Sequence, residues 1–289
     1  MPVQPNTQTA LEPAAYVEHF VEIDGLRLRV QDYGASGKPP MLCVHGGGAN
    51  AHWYDFVAQG FNTDYHVRAV DLRGHGDSEW HNSNPPNYKY TRHAADIHEL
   101  TEELDLHDFV LIGHSMGGMV SSVYAATYPG RAKALIVVDS NLVMSPERIA
   151  SFQAVADRPA REYDTQEEFI ANYRVRPGAS TAPPEALRHI AQHSGRRFDD
   201  GRWRHKVDRR TYANRELVDS FALWNRIRIP SLLMKGGCSI RMTPEAIAEV
   251  RSRAPQVTMT VVADADHHIT LDNPAGFIRA ARDFLADIP

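Results

Sequence analysis

The sequence predicts an α/β protein: a doubly wound, mostly parallel eight-stranded sheet with a helical cap inserted into it. Three observations carry this. Short apolar runs, such as Met41–Val44, Phe109–Ile112 and Leu135–Val138, read as strands buried on both faces, as in a parallel sheet covered by helices. Helical segments separate these runs, and right-handed crossovers then wind the sheet in both directions. The strand pattern stops at Asn141 and resumes only at Ile229.

Each element follows from local signals. Met1–Ala15 is rich in Pro, Gln and Thr and has no apolar h-region, so it reads as a flexible tail and not as a signal peptide. Tyr16–Ile23 and Leu26–Tyr33 alternate polar and apolar residues around Asp24-Gly25, a hairpin signal. Pro39-Pro40 leads into Met41–Val44, and His66–Leu72 is a further strand. Ile97, Leu100 and Leu104 give Thr91–Leu106 a helical spacing, with Thr91 as its N-cap. Phe109–Ile112 is a strand and Ser115–Tyr128 a helix of small residues, stopped by Pro129-Gly130. Lys133–Asp139 is the next strand.

Residues 141–229 carry 16 Lys and Arg against 12 Asp and Glu, whereas the remainder carries 15 against 24. This segment reads as several amphipathic helices, broken at Pro183-Pro184 and Ser194-Gly195. Its basic surplus fits an anionic substrate or a solvated surface equally well. Ile229–Met234 is then a strand, Thr243-Pro244 caps a helix through Arg253, Val257–Val262 is the last strand and Pro274–Leu285 a closing helix. The expected organisation is a tail over 1–15, a sheet domain over 16–140 and 230–289, and a cap over 141–229.

Bulk properties exclude several classes. The 289 residues suffice for a sizeable core, and 43% hydrophobic with 23% charged residues is ordinary for a globular protein. A net charge of −5 gives no reason to expect nucleic acid, and no run approaches the roughly 20 apolar residues of a membrane span. Cys43, inside an apolar run, and Cys238 cannot make a disulfide framework. A cytoplasmic location is expected, and a homodimer is left open. His189 and His193 stand at i, i+4, but no third ligand is evident near them, and His205 is isolated, so no metal is expected. No nucleotide-binding glycine fingerprint occurs, so no cofactor is implied.

Four motifs carry chemistry: His45-Gly46-Gly47-Gly48 after the strand ending at Val44; Asp71-Leu72-Arg73-Gly74-His75-Gly76-Asp77-Ser78; Gly113-His114-Ser115-Met116-Gly117 after Phe109–Ile112; and Asp266-His267-His268 through Asn273-Pro274. In this order they resemble the esterase, lactonase and C–C hydrolase branch of the α/β-hydrolase superfamily, over roughly residues 20–140 and 228–289. The resemblance implies that Ser115 is a nucleophile on a strained strand-to-helix elbow. It implies that the N–H groups of Gly47 and Met116 form an oxyanion hole. Gly46, Trp53, His114 and Trp224 would contact substrate, and His75 would be structural. The family's base stands seven residues before the proline, which selects His267 and leaves His268 pointing elsewhere.

The third member departs from the pattern. In Gly236-Gly237-Cys238-Ser239, serine stands where the family usually has aspartate. Some members place the acid one sheet strand earlier, which here is Asp139. A dyad, or Glu245 after a rearranged loop, are the alternatives.

The implied activity is metal-free serine hydrolysis of a carboxylic ester or lactone. Cap aromatics, namely Phe152, Phe169, Tyr173, Trp203, Tyr212, Phe221 and Trp224, would wall its pocket. The same scaffold supports C–C hydrolysis of a diketone ring-cleavage product, cofactor-independent dioxygenase or perhydrolase chemistry, and non-catalytic ligand reception. A haloalkane dehalogenase would need aspartate at position 115.

Overall fold

The computed structural model describes residues 12–213 and 215–288. Strands β1 (Val17–Ile23) and β2 (Leu26–Asp32) form the hairpin about Asp24-Gly25. There follow β3 (Pro40–Val44), β4 (His66–Val70), helix α1 (Tyr90–Glu103), β5 (Phe109–His114), α2 (Met116–Thr127) and β6 (Ala132–Val138). After a long insertion come β9 (Ser231–Gly236), α8 (Pro244–Arg253), β10 (Val257–Val262), α9 (Ile269–Asp272) and α10 (Pro274–Ala286). The insertion contributes α3 (Pro146–Ala156), α4 (Gln166–Asn172), α5 (Pro184–Ser194), β7 (Gly195–Arg197), β8 (Trp203–His205), α6 (Arg210–Ala213) and α7 (Ser220–Trp224).

The eight sheet strands run in the order β1-β2-β4-β3-β5-β6-β9-β10, parallel from β4 to β10 and antiparallel at β1 and β2. Alternation along the buried strands fills two cores. Phe109, Leu111, Leu135 and Val137 face one, whereas Val110, Ile112, Ile136 and Val138 face the other. Because β6 and β9 are neighbours, residues 139–230 form an excursion between two adjacent strands. Among the described residues no helix is long and apolar enough to cross a membrane.

Three expectations are corrected. Helix α1 begins at Tyr90 with Lys89 as an N-cap that gives no side-chain bond. The Thr91 N–H is instead satisfied by Glu216 Oε1 of the insertion at 2.7 Å, a partner that local spacing cannot reveal. The insertion is not wholly helical: β7 and β8 pair as a short antiparallel ribbon, too brief to show alternation. Of the expected tail, Met1–Leu11 lies outside the described residues. Its last part is packed, because Ala14 is buried and its N–H bonds to the Asp55 carbonyl at 2.8 Å.

The fold also supplies the neighbours that His189 and His193 lack in sequence. Helix α5 sits over the turn Ala51–Tyr54, so that His189 Nε2 and His52 Nδ1 reach the same Asp55 oxygen at 2.7 and 2.8 Å. Gln31 and Tyr33 donate to the other oxygen at 2.6 and 2.8 Å. Ligand-type atoms of His52, His189 and His193 lie within 4.8 Å of one another. Burial alone would push the Asp55 carboxyl up, but hydrogen bonds from His189, His52 and Tyr33 hold it at about 2.

Buried neutral imidazoles make stability depend on pH. Burial pushes His193 down to about 3, His205 to about 4 and His267 to about 3, with nearby cationic or titrating groups adding to the effect. As pH falls, the unfolded imidazoles take protons near pH 6.5 while the folded ones resist. Stability is therefore lost from about pH 6.5 downward, by up to about 2 kcal/mol at pH 5 for the buried His267 and by less for the half-buried His193 and His205, whose charged forms water screens. The melting temperature is expected to fall by roughly 6 °C between pH 7.5 and pH 5. Calorimetric scans across this range check it, and a flat profile would refute the burial of these rings as neutral groups.

Candidate active site

The chain leaves β3 toward β4 on one side and returns as β5 on the other. The carboxyl ends of β3 and β5 therefore open the crevice typical of a topological switch point. His45 follows β3, Ser115 follows β5, Asp139 follows β6, and His267 lies on the loop after β10. Four separate loops thus converge on one edge of the sheet.

Ser115 has φ 53° and ψ −114°, a left-sided conformation costly for a residue with a side chain. Tight packing on either side enforces it. A Cβ on Gly113 would meet the Gly117 carbonyl, and a Cβ on Gly117 would meet the Val44 carbonyl. The turn lifts the serine hydroxyl clear of the sheet. His267 Nε2 lies 3.0 Å from Ser115 Oγ, and His267 Nδ1 lies 2.7 Å from Asp139 Oδ2.

Asp139, also at positive φ (40°), is fully buried. Burial raises its carboxyl above the usual range, opposed by bonds from Ser239 Oγ at 2.6 Å and the Gly236 N–H at 3.2 Å. The serine that replaces the family's usual aspartate therefore donates to the carboxylate that stands one strand earlier. Glu245, the alternative acid, is solvent-facing in the first turn of α8.

Burial lowers the His267 imidazole to about 3, helped by His268 and Arg148, so the ring is neutral at pH 7. With Nδ1 donating to Asp139, the Nε2 lone pair faces the serine hydroxyl. That arrangement can take a proton from Ser115 Oγ and pass it on. His268 does not share it: its Nε2 is 2.9 Å from the Pro177 carbonyl.

The glycine turn after β3 is braced from below. His45 Nδ1 donates to the Gly46 carbonyl at 2.7 Å, and its Nε2 accepts from the Leu72 N–H at 3.0 Å. Asp71 accepts from the N–H groups of Ala51 and Asp77 at 2.6 and 2.9 Å. His75 is buried beside His45 and lies outside the cavity. Among the described residues the N–H groups of Gly47 and of Met116, the first residue of α2, take no part in the turn and loop hydrogen bonds.

Ser115 and His267 line a cavity with two adjoining lobes, of about 160 and 320 Å3. By this measure one water needs about 10–15 Å3, so either lobe admits a small organic acid or alcohol. Gly46, Trp53 and His114 line the first lobe, as do Phe169, Tyr173 and Tyr212, while Phe152 lines the second. Trp224 is a correction: it is buried where α7 packs on α2 and α8, and it does not reach the cavity. Trp203 and Phe221 do not line it either. Sequence reasoning missed the arginines of the lining, including Arg148, Arg176, Arg209 and Arg215; the basic surplus of residues 141–229 was their only signal.

The chain is 28% identical over 261 residues to an esterase of Mycobacterium tuberculosis, covering 86% of this chain and 83% of that one. It is 25% identical over 273 residues to the 2-(acetamidomethylene)succinate hydrolase of Mesorhizobium japonicum, covering 93% and 95%. A crystal structure of E-2-(acetamidomethylene)succinate hydrolase superposes with a TM-score of 0.81 at 23% identity, over 94% of this chain and all of the other. Residues 39–274 match the family described as alpha/beta hydrolase fold. Strand order, the strained serine between β5 and α2, and that match converge: the chain belongs to the alpha/beta hydrolase fold family.

Proposed function

We propose that the protein is a metal-free serine hydrolase of a carboxylic ester or lactone. The observation that carries this is the hydrogen-bonded line from Ser115 Oγ through His267 to Asp139. Ser115 Oγ attacks the carbonyl carbon while His267 Nε2 takes its proton. Asp139 fixes the imidazole tautomer and stabilises the imidazolium that forms. The N–H groups of Gly47 and Met116 hold the oxyanion. Collapse of the intermediate breaks the C–O bond, and His267 hands its proton to the departing alcohol oxygen. Water, activated by the same imidazole, then releases the acid and restores Ser115. The names of the two relatives, an esterase and a hydrolase, agree with this reading.

A fluorophosphonate probe is expected to label Ser115 at one equivalent per chain and to abolish turnover of 4-nitrophenyl esters in proportion. Mass mapping of the adduct together with residual activity checks it. Esters and lactones left inert while a diketone is cleaved, or oxygen consumed, would replace the ester reading with C–C hydrolysis or oxygenation.

A further inference from the structure

Among the described residues the cavity lining around Ser115 contains arginines and no aspartate or glutamate. Arg215 is the most telling. It is buried, with its guanidinium 3.9 Å from the Phe152 ring centre and so close to Gly47 that a Cβ there would strike Nη2. Arg148 stacks on the same Phe152 ring at 5.6 Å. Arg209 donates to the Val155 carbonyl, and burial, with Arg176 beside it, weakens its hold on its proton. The Nε atoms of Arg148, Arg209 and Arg215 are buried and have no hydrogen-bond partner among the described residues.

Other arginines of the insertion behave differently. Arg202, Arg204 and Arg210 each meet a carboxylate of Asp164, Asp200, Glu162 or Asp208. Among the described residues no ion pair joins Arg148, Arg176, Arg209 or Arg215 to any carboxylate. Of these four Arg215 is buried, Arg148 and Arg209 are half-buried and Arg176 is exposed. A solvated basic face would not bury Arg215, and a structural role would pair it, because an unpaired charge out of water is costly. Guanidinium groups held on aromatic rings with free N–H donors are instead set to receive an anion.

We propose that the site takes a substrate bearing a free carboxylate in addition to the scissile carbonyl, and that Arg215 and Arg148 hold that carboxylate beside the Gly47 turn. This rests on the reading of Ser115 as the nucleophile for its catalytic half only, since binding of the carboxylate needs no chemistry. The substrate class is then a half-ester of a dicarboxylic acid, or a lactone carrying a carboxylate. The Phe152 ring on which both guanidinium groups lie is partly buried against the core, and the lower dielectric beside it strengthens each charge-assisted bond.

The test compares mono-4-nitrophenyl adipate with 4-nitrophenyl hexanoate, esters of nearly equal length that differ by one carboxylate. Wild-type kcat/KM is expected to favour the adipate ester by about 30-fold, from one or two charge-assisted hydrogen bonds. Raising the salt to 0.5 M should erode that preference by screening. In Arg215→Gln and Arg148→Gln the charged-to-neutral ratio should fall toward unity. Should these variants lose their fold, the wild-type ratio and its salt dependence still decide.

A second arm measures adipate against uncharged adipamide on the Ser115→Ala protein by titration calorimetry. Adipate binding without adipamide binding supports the carboxylate site even if neither ester turns over, an outcome that would sink only the hydrolase reading. Equal turnover of both esters, with no adipate binding, overturns the carboxylate site and leaves the hydrolase reading standing.

Discussion

Replacing Ser115 with alanine is expected to lower kcat/KM for any ester substrate by about four to six orders of magnitude, with the melting temperature nearly unchanged. In the proposed mechanism the hydroxyl is the attacking group, and among the described residues no other hydroxyl lies within bonding distance of His267 Nε2. Residual rate would come from binding and the oxyanion donors alone. Stability should survive because alanine meets the same backbone strain at φ 53° that serine does, and the glycines at 113 and 117 still make room for the turn. Steady-state kinetics beside a thermal scan checks both halves. A variant retaining more than a tenth of wild-type activity would remove Ser115 from the mechanism.

The second large effect is at Asp139. Asp139→Asn is expected to cost roughly three to four orders of magnitude in kcat, with KM little changed. The carboxylate oxygen at 2.7 Å from His267 Nδ1 requires a proton on that nitrogen. An amide presenting its NH2 group would turn the tautomer over and leave Nε2 protonated toward Ser115, unable to accept. Ser239→Ala removes only a supporting donor at 2.6 Å and should cost about tenfold. Glu245→Gln, exposed at the start of α8, is the control and should be silent. If instead Glu245→Gln were crippling and Asp139→Asn mild, the acid assignment would be reversed.

Much of this was legible in the chain, for reasons that differ by element. Apolar runs such as Leu135–Val138 are strands because they are buried on both faces, and burial on both faces leaves an unmistakable pattern. Gly113 and Gly117 mark the elbow because neighbouring backbone leaves no room for a Cβ. What stayed hidden depends on contacts between distant segments. The Thr91 N–H finds Glu216, His189 finds Asp55, and Asp139 finds Ser239, each across a separation that periodicity does not encode. Trp224 was misplaced for the same reason: an aromatic in a cap and an aromatic in a core read alike until α7 is seen against α2. Charge count registered the arginines of residues 141–229 but did not separate the paired ones from those that face Ser115.

The position of the acid has a consequence for modularity. Asp139 is the first residue of the excursion, directly after β6, and its neighbour Ser140 donates to the Ser115 carbonyl at 2.7 Å. An acid at position 239 would ride on the sheet, insulated from whatever is spliced in after β6. Here the splice junction and the proposed relay are the same few atoms. An insertion from another family member, grafted between β6 and β9, would pull directly on the carboxylate and the nucleophile's own peptide. Exchanging the insertion wholesale would therefore disturb the proposed relay, which point changes inside residues 141–229 would leave in place.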